Sequence, residues 1–164
     1  MTPLVSIIMG STNDLPVMEK AAKFLNDMEI PFEMNALSAH RTPQEVEEFA
    51  KSAQARGIKV IIAGAGMAAA LPGVVAASTN VPVIGVPIKG MLDGLDALLS
   101  TVQMPSGIPV STVAIDGAAN AALLALQILS VSDEKLAEQL NAARAEATEK
   151  VLKKNKEIEQ KYQN

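Results

Sequence analysis

Five short, largely apolar runs alternate with helical patterns along this chain, and that alternation constrains its fold more than any other feature. The runs cover residues 4–9, 32–37, 59–63, 81–86 and 109–115. Helical patterns lie between and after them, near 14–28, 43–56, 67–78, 92–102 and 117–131. A half-buried strand alternates apolar with polar residues, whereas a strand buried on both faces reads as an unbroken apolar run. Five βα units of this kind predict an α/β fold: a doubly wound, five-stranded parallel sheet, with strand order 2-1-3-4-5 expected at this size. At 164 residues the chain is long enough for one such domain with a real core.

From Ser132 onward the pattern changes. Residues 133–164 hold neither proline nor glycine and are rich in Ala, Glu and Lys. Leu136, Leu140, Ala143, Ala147, Val151 and Ile158 form one apolar stripe on a helix. A helix of that length extends roughly 45 Å, longer than a domain of this size is wide. The chain is therefore expected to divide into a catalytic α/β domain over 1–132 and a helical arm over 133–164 that packs on neighbouring subunits.

Charge and composition remove several functions. Residues 133–164 carry seven acids and seven bases, so the whole net charge of −4 belongs to residues 1–132. An acidic body with 2% aromatic residues offers neither a basic stripe nor a stacking platform for nucleic acid. The apolar fraction of 49% is high, but no 18-residue stretch is free of polar breaks, so no membrane span is expected. That excess apolar surface points to subunit interfaces instead. Cysteine is absent, which excludes disulfides and thiolate metal sites. The apolar run beginning at Leu4 has no basic segment before it and is expected to be a first strand, not a secretion signal. A cytoplasmic location is expected.

The candidate chemistry gathers where expected strands run into expected helices, the edge at which open α/β sheets bind ligands. Ser38, Ala39, His40 and Arg41 follow the second run, and His40 is the only histidine in the chain. Histidine is the side chain best suited to proton transfer near neutral pH. Thr42, Pro43 and Glu45 predict a helix start with Thr42 as N-cap and a capping box. A lone histidine cannot build a His-rich zinc site, and no nucleophile elbow surrounds Ser38. After the first run come Gly10, Ser11, Thr12, Asn13 and Asp14, with Asp14 expected to cap the helix that Pro16 begins. This turn is either a ligand-binding loop or an ordinary capped turn. After the third run, Gly64, Ala65 and Gly66 leave room for a flat ligand or for close helix–sheet packing. Ala69 stands where a dinucleotide fingerprint would need its third glycine.

Taken together, these segments resemble the family of 5-(carboxyamino)imidazole ribonucleotide mutases of bacterial purine biosynthesis. The resemblance rests on Met9-Gly10-Ser11 with Asp14, on Ser38 through Pro43, on Gly64-Ala65-Gly66 and on Leu71-Pro72-Gly73. It extends to Gly85-Val86-Pro87, to the Gln-Met-Pro-x-Gly-Ile-Pro segment at 103–109, and to Asn120-Ala121-Ala122. It implies a flavodoxin-like three-layer sandwich, a homo-octamer whose long C-terminal helix reaches across neighbours, and a reaction that uses no metal and no cofactor.

The implied reaction moves a carboxyl group from the exocyclic nitrogen of an aminoimidazole ribonucleotide to ring carbon 4 through trapped carbon dioxide, with His40 shuttling the proton. The resemblance further implies that Ser11, Asn13, Asp14 and Arg41 hold the phosphate and ribose, and that Ser38 and Ala39 line the base. Gly64, Ala65 and Gly66, with Ala68, Ala69, Ala70 and Leu71, would close over the carboxyl group. Two positions depart from the family pattern. Ala70 stands where many relatives carry a second histidine, and Asn13 replaces a common serine. Two other readings are a direct carboxylase acting on free carbon dioxide, and a non-catalytic nucleotide-binding module of flavodoxin-like shape. Only the latter has no need of His40.

Overall fold

The computed structural model describes residues 2–163 and resolves into two compact units that divide between Ala125 and Leu126. In the first unit the strands are β1 (Val5–Met9), β2 (Phe32–Ala36), β3 (Val60–Gly66), β4 (Val83–Ile88) and β5 (Ser111–Thr112). All pair in parallel, in the order β2-β1-β3-β4-β5 expected for a sheet of this size. The helices are α1 (Leu15–Asp27), α2 (Pro43–Ser52), α3 (Leu71–Ala77) and α4 (Leu95–Val102), with α5 (Ala118–Ser130) crossing into the second unit. Helices cover both faces of the sheet. The flavodoxin-like sandwich is therefore present.

The aliphatic runs are buried as their continuity requires. Every residue of β1 and β4 is buried, as are all of β3 but Gly66. Ile7, Ile8, Ile61, Ile62 and Ile84 are fully enclosed, each contributing roughly 1.5–3 kcal/mol. Residues of β3 alternate between faces. Ile61, Ala63 and Ala65 join a core with Val46, Phe49 and Ala50 of α2, Leu71 and Val75 of α3, and Ala97 of α4. Gly64 faces the other way, onto Met18 of α1. A Cβ at Gly64 would lie 2.9 Å from the Met18 methyl and closer still to its sulfur. That glycine is there because a helix comes that near.

β2 is an edge strand and only partly buried. Its side chains tie it down. The carboxylate of Glu33 accepts the hydroxyl of the fully buried Ser6 at 2.8 Å and pairs with Arg56. The Arg56 guanidinium also donates to Ser52 Oγ (3.1 Å) and to the Phe49 carbonyl (3.2 Å), and it stacks 5.1 Å from the Phe49 ring centre. One arginine thus joins the end of α2 to the edge of the sheet.

Several boundaries differ from the sequence expectation, each for a local reason. α2 ends at Ser52, not near 56, because Gly57 (φ 87°) turns the chain and Ile58 N–H closes back on the Ala53 carbonyl at 3.0 Å. α3 begins at Leu71, not near 67, because Met67 sits in the left-handed region (φ 52°). α4 begins at Leu95, not near 92. Leu92, Asp93 and Gly94 are all left-handed (φ 52°, 55° and 87°), and a Cβ on Gly94 would lie 2.8 Å from Ile115. The run at 109–115 supplies only the two-residue β5, at a sheet edge where Pro109 cannot donate to a ladder. Thr42 does precede α2, but no side-chain cap forms; its hydroxyl is engaged elsewhere.

The second unit contains the end of α5 and the 29-residue α6 (Glu134–Tyr162), capped by the Asp133 carboxylate, which accepts Leu136 N–H at 3.1 Å. No residue of α6 is buried, and Val151, Leu152, Ile158 and Tyr162 are exposed. Among the described residues no helix is long and apolar enough to cross a membrane.

Substituting Arg56 should show how much the edge strand depends on its clamp. R56M leaves the Glu33 carboxylate without its cation and should cost about 1–3 kcal/mol in urea unfolding. R56K should recover only part of this, because an ammonium cannot donate to three acceptors from one plane.

Candidate active site

Four βα turns meet at the carboxyl end of the sheet around a cavity of about 820 Å³. Each turn is held by local main-chain geometry. After β1, the Ser11 residue is extended (φ −152°) and its hydroxyl accepts Asn13 N–H at 3.2 Å, opening a single 3₁₀ turn over Thr12–Asp14. Asp14 N–H returns to the Ser11 carbonyl at 3.0 Å. The Asp14 carboxylate does not cap α1, contrary to the sequence expectation. It is left facing the cavity.

After β2, Ser38 and Thr42 clasp each other. Ser38 N–H donates to the Thr42 hydroxyl (2.9 Å), which donates to the Ser38 carbonyl (3.0 Å), and Thr42 N–H reaches the same carbonyl (2.8 Å). This consumes the hydroxyl that a capping box would have used. The Ser38 hydroxyl accepts Arg41 N–H at 3.2 Å. The clasp leaves Ala39, His40 and Arg41 on the outside of a tight loop, with His40 and Arg41 exposed.

After β3, left-handed Met67 is followed by two successive tight turns, Ala69 N–H to the Met67 carbonyl and Ala70 N–H to the Ala68 carbonyl, both 2.8 Å. The fourth turn, after β4, brings Ile88, Lys89, Gly90 and Met91 to the same cavity.

Of the residues singled out from sequence, Ser11, Asn13, Asp14, Ser38, Ala39, His40, Arg41, Ala65, Gly66, Ala68, Ala70 and Leu71 all line this cavity. Gly64 and Ala69 do not. Gly64 faces Met18 beneath α1, and Ala69 is 1% exposed within the core on the α2–α4 side. Sequence reasoning missed Met67 and the whole β4 turn. The signal for the latter was available, since β4 ends at the same edge as β1 and β3 and a lysine follows it directly.

The electrostatics are mixed. Arg41 and Lys89 bring positive charge from two sides, and Asp14 stands between them. Burial pushes the Asp14 carboxyl above its ordinary value, an effect only partly offset by a Ser11 backbone hydrogen bond. His40 can exchange a proton with a bound molecule, and the cations can hold an anion. Among the described residues, no group of three His, Cys, Asp or Glu side chains comes together to hold a metal ion. A second depression, of about 680 Å³, lies at the opposite edge beside the starts of β4 and β5, and its one cation, Lys51, is already paired with Glu47. The first cavity is the one that brings the residues singled out from sequence together.

Comparison with known proteins agrees with this geometry. Residues 4–150 match the family described as AIR carboxylase. The chain is 63% identical over 143 residues to the N5-carboxyaminoimidazole ribonucleotide mutase of Pyrococcus abyssi, covering 87% of this chain and 82% of that one. It is 57% identical over 159 residues to the protein of the same name from Pyrococcus horikoshii, covering 96% and 90%. Among solved structures, PurE of Treponema denticola superposes with a TM-score of 0.86 at 32% identity, over 99% of both chains.

Because Asp14 holds its proton more tightly folded than unfolded, its ionisation works against the fold. Its contribution is most favourable at acidic pH and is lost as pH rises through the folded-state value. D14N should therefore raise the melting temperature of the ligand-free protein at neutral pH. The gain should vanish in acid, where both side chains are neutral. Calorimetry of the two proteins across that range checks this, and a lower melting temperature for D14N at neutral pH would contradict it.

Proposed function

The chain belongs to the AIR carboxylase family, and from that premise we propose that it is a mutase converting N5-carboxyaminoimidazole ribonucleotide to 4-carboxy-5-aminoimidazole ribonucleotide in purine biosynthesis. The observation that carries this reading is the convergence of His40, Arg41 and Asp14 on one cavity at the carboxyl edge of the sheet. The reaction belongs in the cytoplasm, where phosphorylated intermediates are retained.

The reaction balances without oxidant or reductant. The exocyclic carbon–nitrogen bond breaks, carbon dioxide departs, and the electron pair stays on nitrogen, which takes a proton. Carbon 4 then attacks carbon dioxide, and its own proton is removed as the new carbon–carbon bond forms. His40 is the proton carrier in this reading, donating to one position and accepting from the other. Its placement on an exposed, clasped loop supports that role, because the imidazole reaches the cavity while the backbone beneath it is fixed. Carbon dioxide must stay near the ring between the two steps. The closely spaced small residues Ala65, Gly66, Ala68 and Ala70 suit a wall that lets a flat ring sit against backbone. Ser11, Asn13, Asp14 and Arg41 hold phosphate and ribose, and Ser38 and Ala39 line the base. Ala70 supplies no second imidazole, so the proton has one carrier.

The arm over 133–164 packs on neighbouring copies in a homo-octamer in this reading. Its support is a 29-residue helix without a single buried residue, with Ala147, Thr148, Val151 and Leu152 forming a shallow, mostly apolar face. Truncation after Ser132 should lower both the mass found by light scattering and the melting temperature. An unchanged assembly would make the arm a solvated appendage.

H40N is the test of the chemistry. It should fold and bind ribonucleotide but lose about 10²–10⁴-fold in turnover. The assay runs N5-carboxyaminoimidazole ribonucleotide and aminoimidazole ribonucleotide separately under controlled bicarbonate. Turnover of the first without added bicarbonate identifies the mutase. Turnover of the second alone, dependent on bicarbonate, would mean a direct carboxylase, and binding without turnover of either would mean a nucleotide-binding module.

A further inference from the structure

We propose that Lys89 is a substrate-binding residue that pairs with the carboxyl group of the ribonucleotide, at the opposite end of the cavity from Arg41. This rests on the substrate assigned above. Among the residues lining the cavity the two permanent cations are Arg41, after β2, and Lys89, after β4. In the order β2-β1-β3-β4 the two strands are three steps apart, roughly 14 Å at the usual spacing. The two charges enter the cavity from opposite sides, an arrangement that suits a molecule with a phosphate at one end and a carboxylate at the other.

The position of Lys89 is built, not incidental. Its backbone N–H donates to Asp116 Oδ1 at 2.9 Å, and Asp116 N–H donates to the Pro87 carbonyl at 2.8 Å. The two bonds tie the loop after β4 to the loop after β5, with Asp116 itself left-handed (φ 58°). On the other side, Gly94 packs so near the Lys89 Cα that a Cβ there would stand 3.2 Å from it. The side chain therefore departs from a fixed point.

Its ammonium is not committed. The nearest carboxylate is Asp93, at 3.4 Å, in a pair whose side chains are 58% and 92% exposed. Such surface pairs contribute little and exchange readily for a better anion. The Asp116 carboxylate is already occupied by the Lys89 amide, and Asp14 stands two strands away at the end of β1. The neighbouring wall, Gly66 to Ala70 after β3, carries no charge, so Lys89 supplies the positive potential on that side.

Titration calorimetry with two ribonucleotides tests this. 4-Carboxy-5-aminoimidazole ribonucleotide carries the carboxylate, and 5-aminoimidazole ribonucleotide lacks it. K89Q should weaken binding of the first about 10-fold or more and change the second less than 2-fold. K89R, which keeps the charge, should restore most of the loss. R41A should weaken both. Equal weakening of both ligands by K89Q would assign Lys89 to the phosphate. No change in either would reduce it to a surface partner of Asp93, and both outcomes overturn the proposal while leaving the assigned function intact. Wild-type protein that binds neither ribonucleotide would overturn the assigned function and this role together.

Discussion

The parallel ladder of the sheet runs on past the ends of its strands, and the site depends on that continuation. Gly10 N–H donates to the Gly64 carbonyl at 3.1 Å, and Leu37 N–H donates to the Met9 carbonyl at 2.9 Å. These two bonds hold the first residues of the loops after β1 and β2 in the register of β2, β1 and β3. A parallel sheet puts all its carboxyl ends on one edge, but strands of unequal length would scatter the loops in depth. Here Met9 pairs with Ala36 on one side and with Gly64 on the other, so the loops bearing Ser11 and His40 open at the same level, while β3 carries Gly66 two residues further. The cavity is a consequence of register before it is a consequence of side chains.

The two parts of this arrangement are energetically unlike. The sheet interior is saturated with buried aliphatic side chains and few polar ones; Ser6 and Thr101 are fully enclosed, and both have partners. Most of the local costs fall at the carboxyl edge, left-handed Glu29 (φ 56°) between α1 and β2 being the exception. Met67, Leu92, Asp93 and Asp116 hold left-handed backbone without being glycine, at about 1–2 kcal/mol each. Asp14 holds a carboxylate in a place that disfavours its charge. Such costs persist only where surrounding structure overdetermines them, and they concentrate at sites that bind or react. A chain selected for stability alone would lack them, and the β1–β3–β4 core supplies the margin that tolerates them.

What was legible in the sequence follows the same division. Continuous aliphatic runs declare strands buried on both faces, so β1, β3 and β4 could be read directly, whereas β2, broken by Glu33 and Asn35, is half-buried at an edge, and the strand order followed only from the arrangement usual at this size. β5 could not be read so, because at an edge only Ser111 and Thr112 need to pair and Pro109 withdraws a donor. The loop motifs were legible as places, less so as orientations. Gly64 and Gly66 look alike in a Gly-Ala-Gly string and share one face of β3, yet Gly64 lies within the strand under α1 while Gly66, at its end, lines the cavity. Thr42 has the spacing of a cap, yet Ser38 lies near enough to take its hydroxyl. Nothing in Met67, Leu92 or Asp93 marks a left-handed residue, so the later starts of α3 and α4 were hidden. Lys89 stands just beyond the Gly85-Val86-Pro87 motif, which marks a place without marking the lysine. Its meaning appears only when β4 is seen to end beside β3.

The absence of a cap on α1 has a functional sense. An aspartate at that position would ordinarily accept a helix N–H and be stabilised by it. Asp14 instead has helical backbone angles (φ −83°, ψ −10°) and accepts no N–H from the helix it precedes. Partly desolvated, and with the Ser11 backbone hydrogen bond offsetting only part of that cost, its carboxylate has room for further donors. In the proposed function, where Asp14 meets the ribose, hydroxyl groups of the ligand would supply them, and the unfavourable interaction in the empty protein would favour a sugar-bearing molecule. Its neighbours Ser11 and Asn13 stand in the same turn, fixed by the bond from Asn13 N–H to the Ser11 hydroxyl, and line the same cavity.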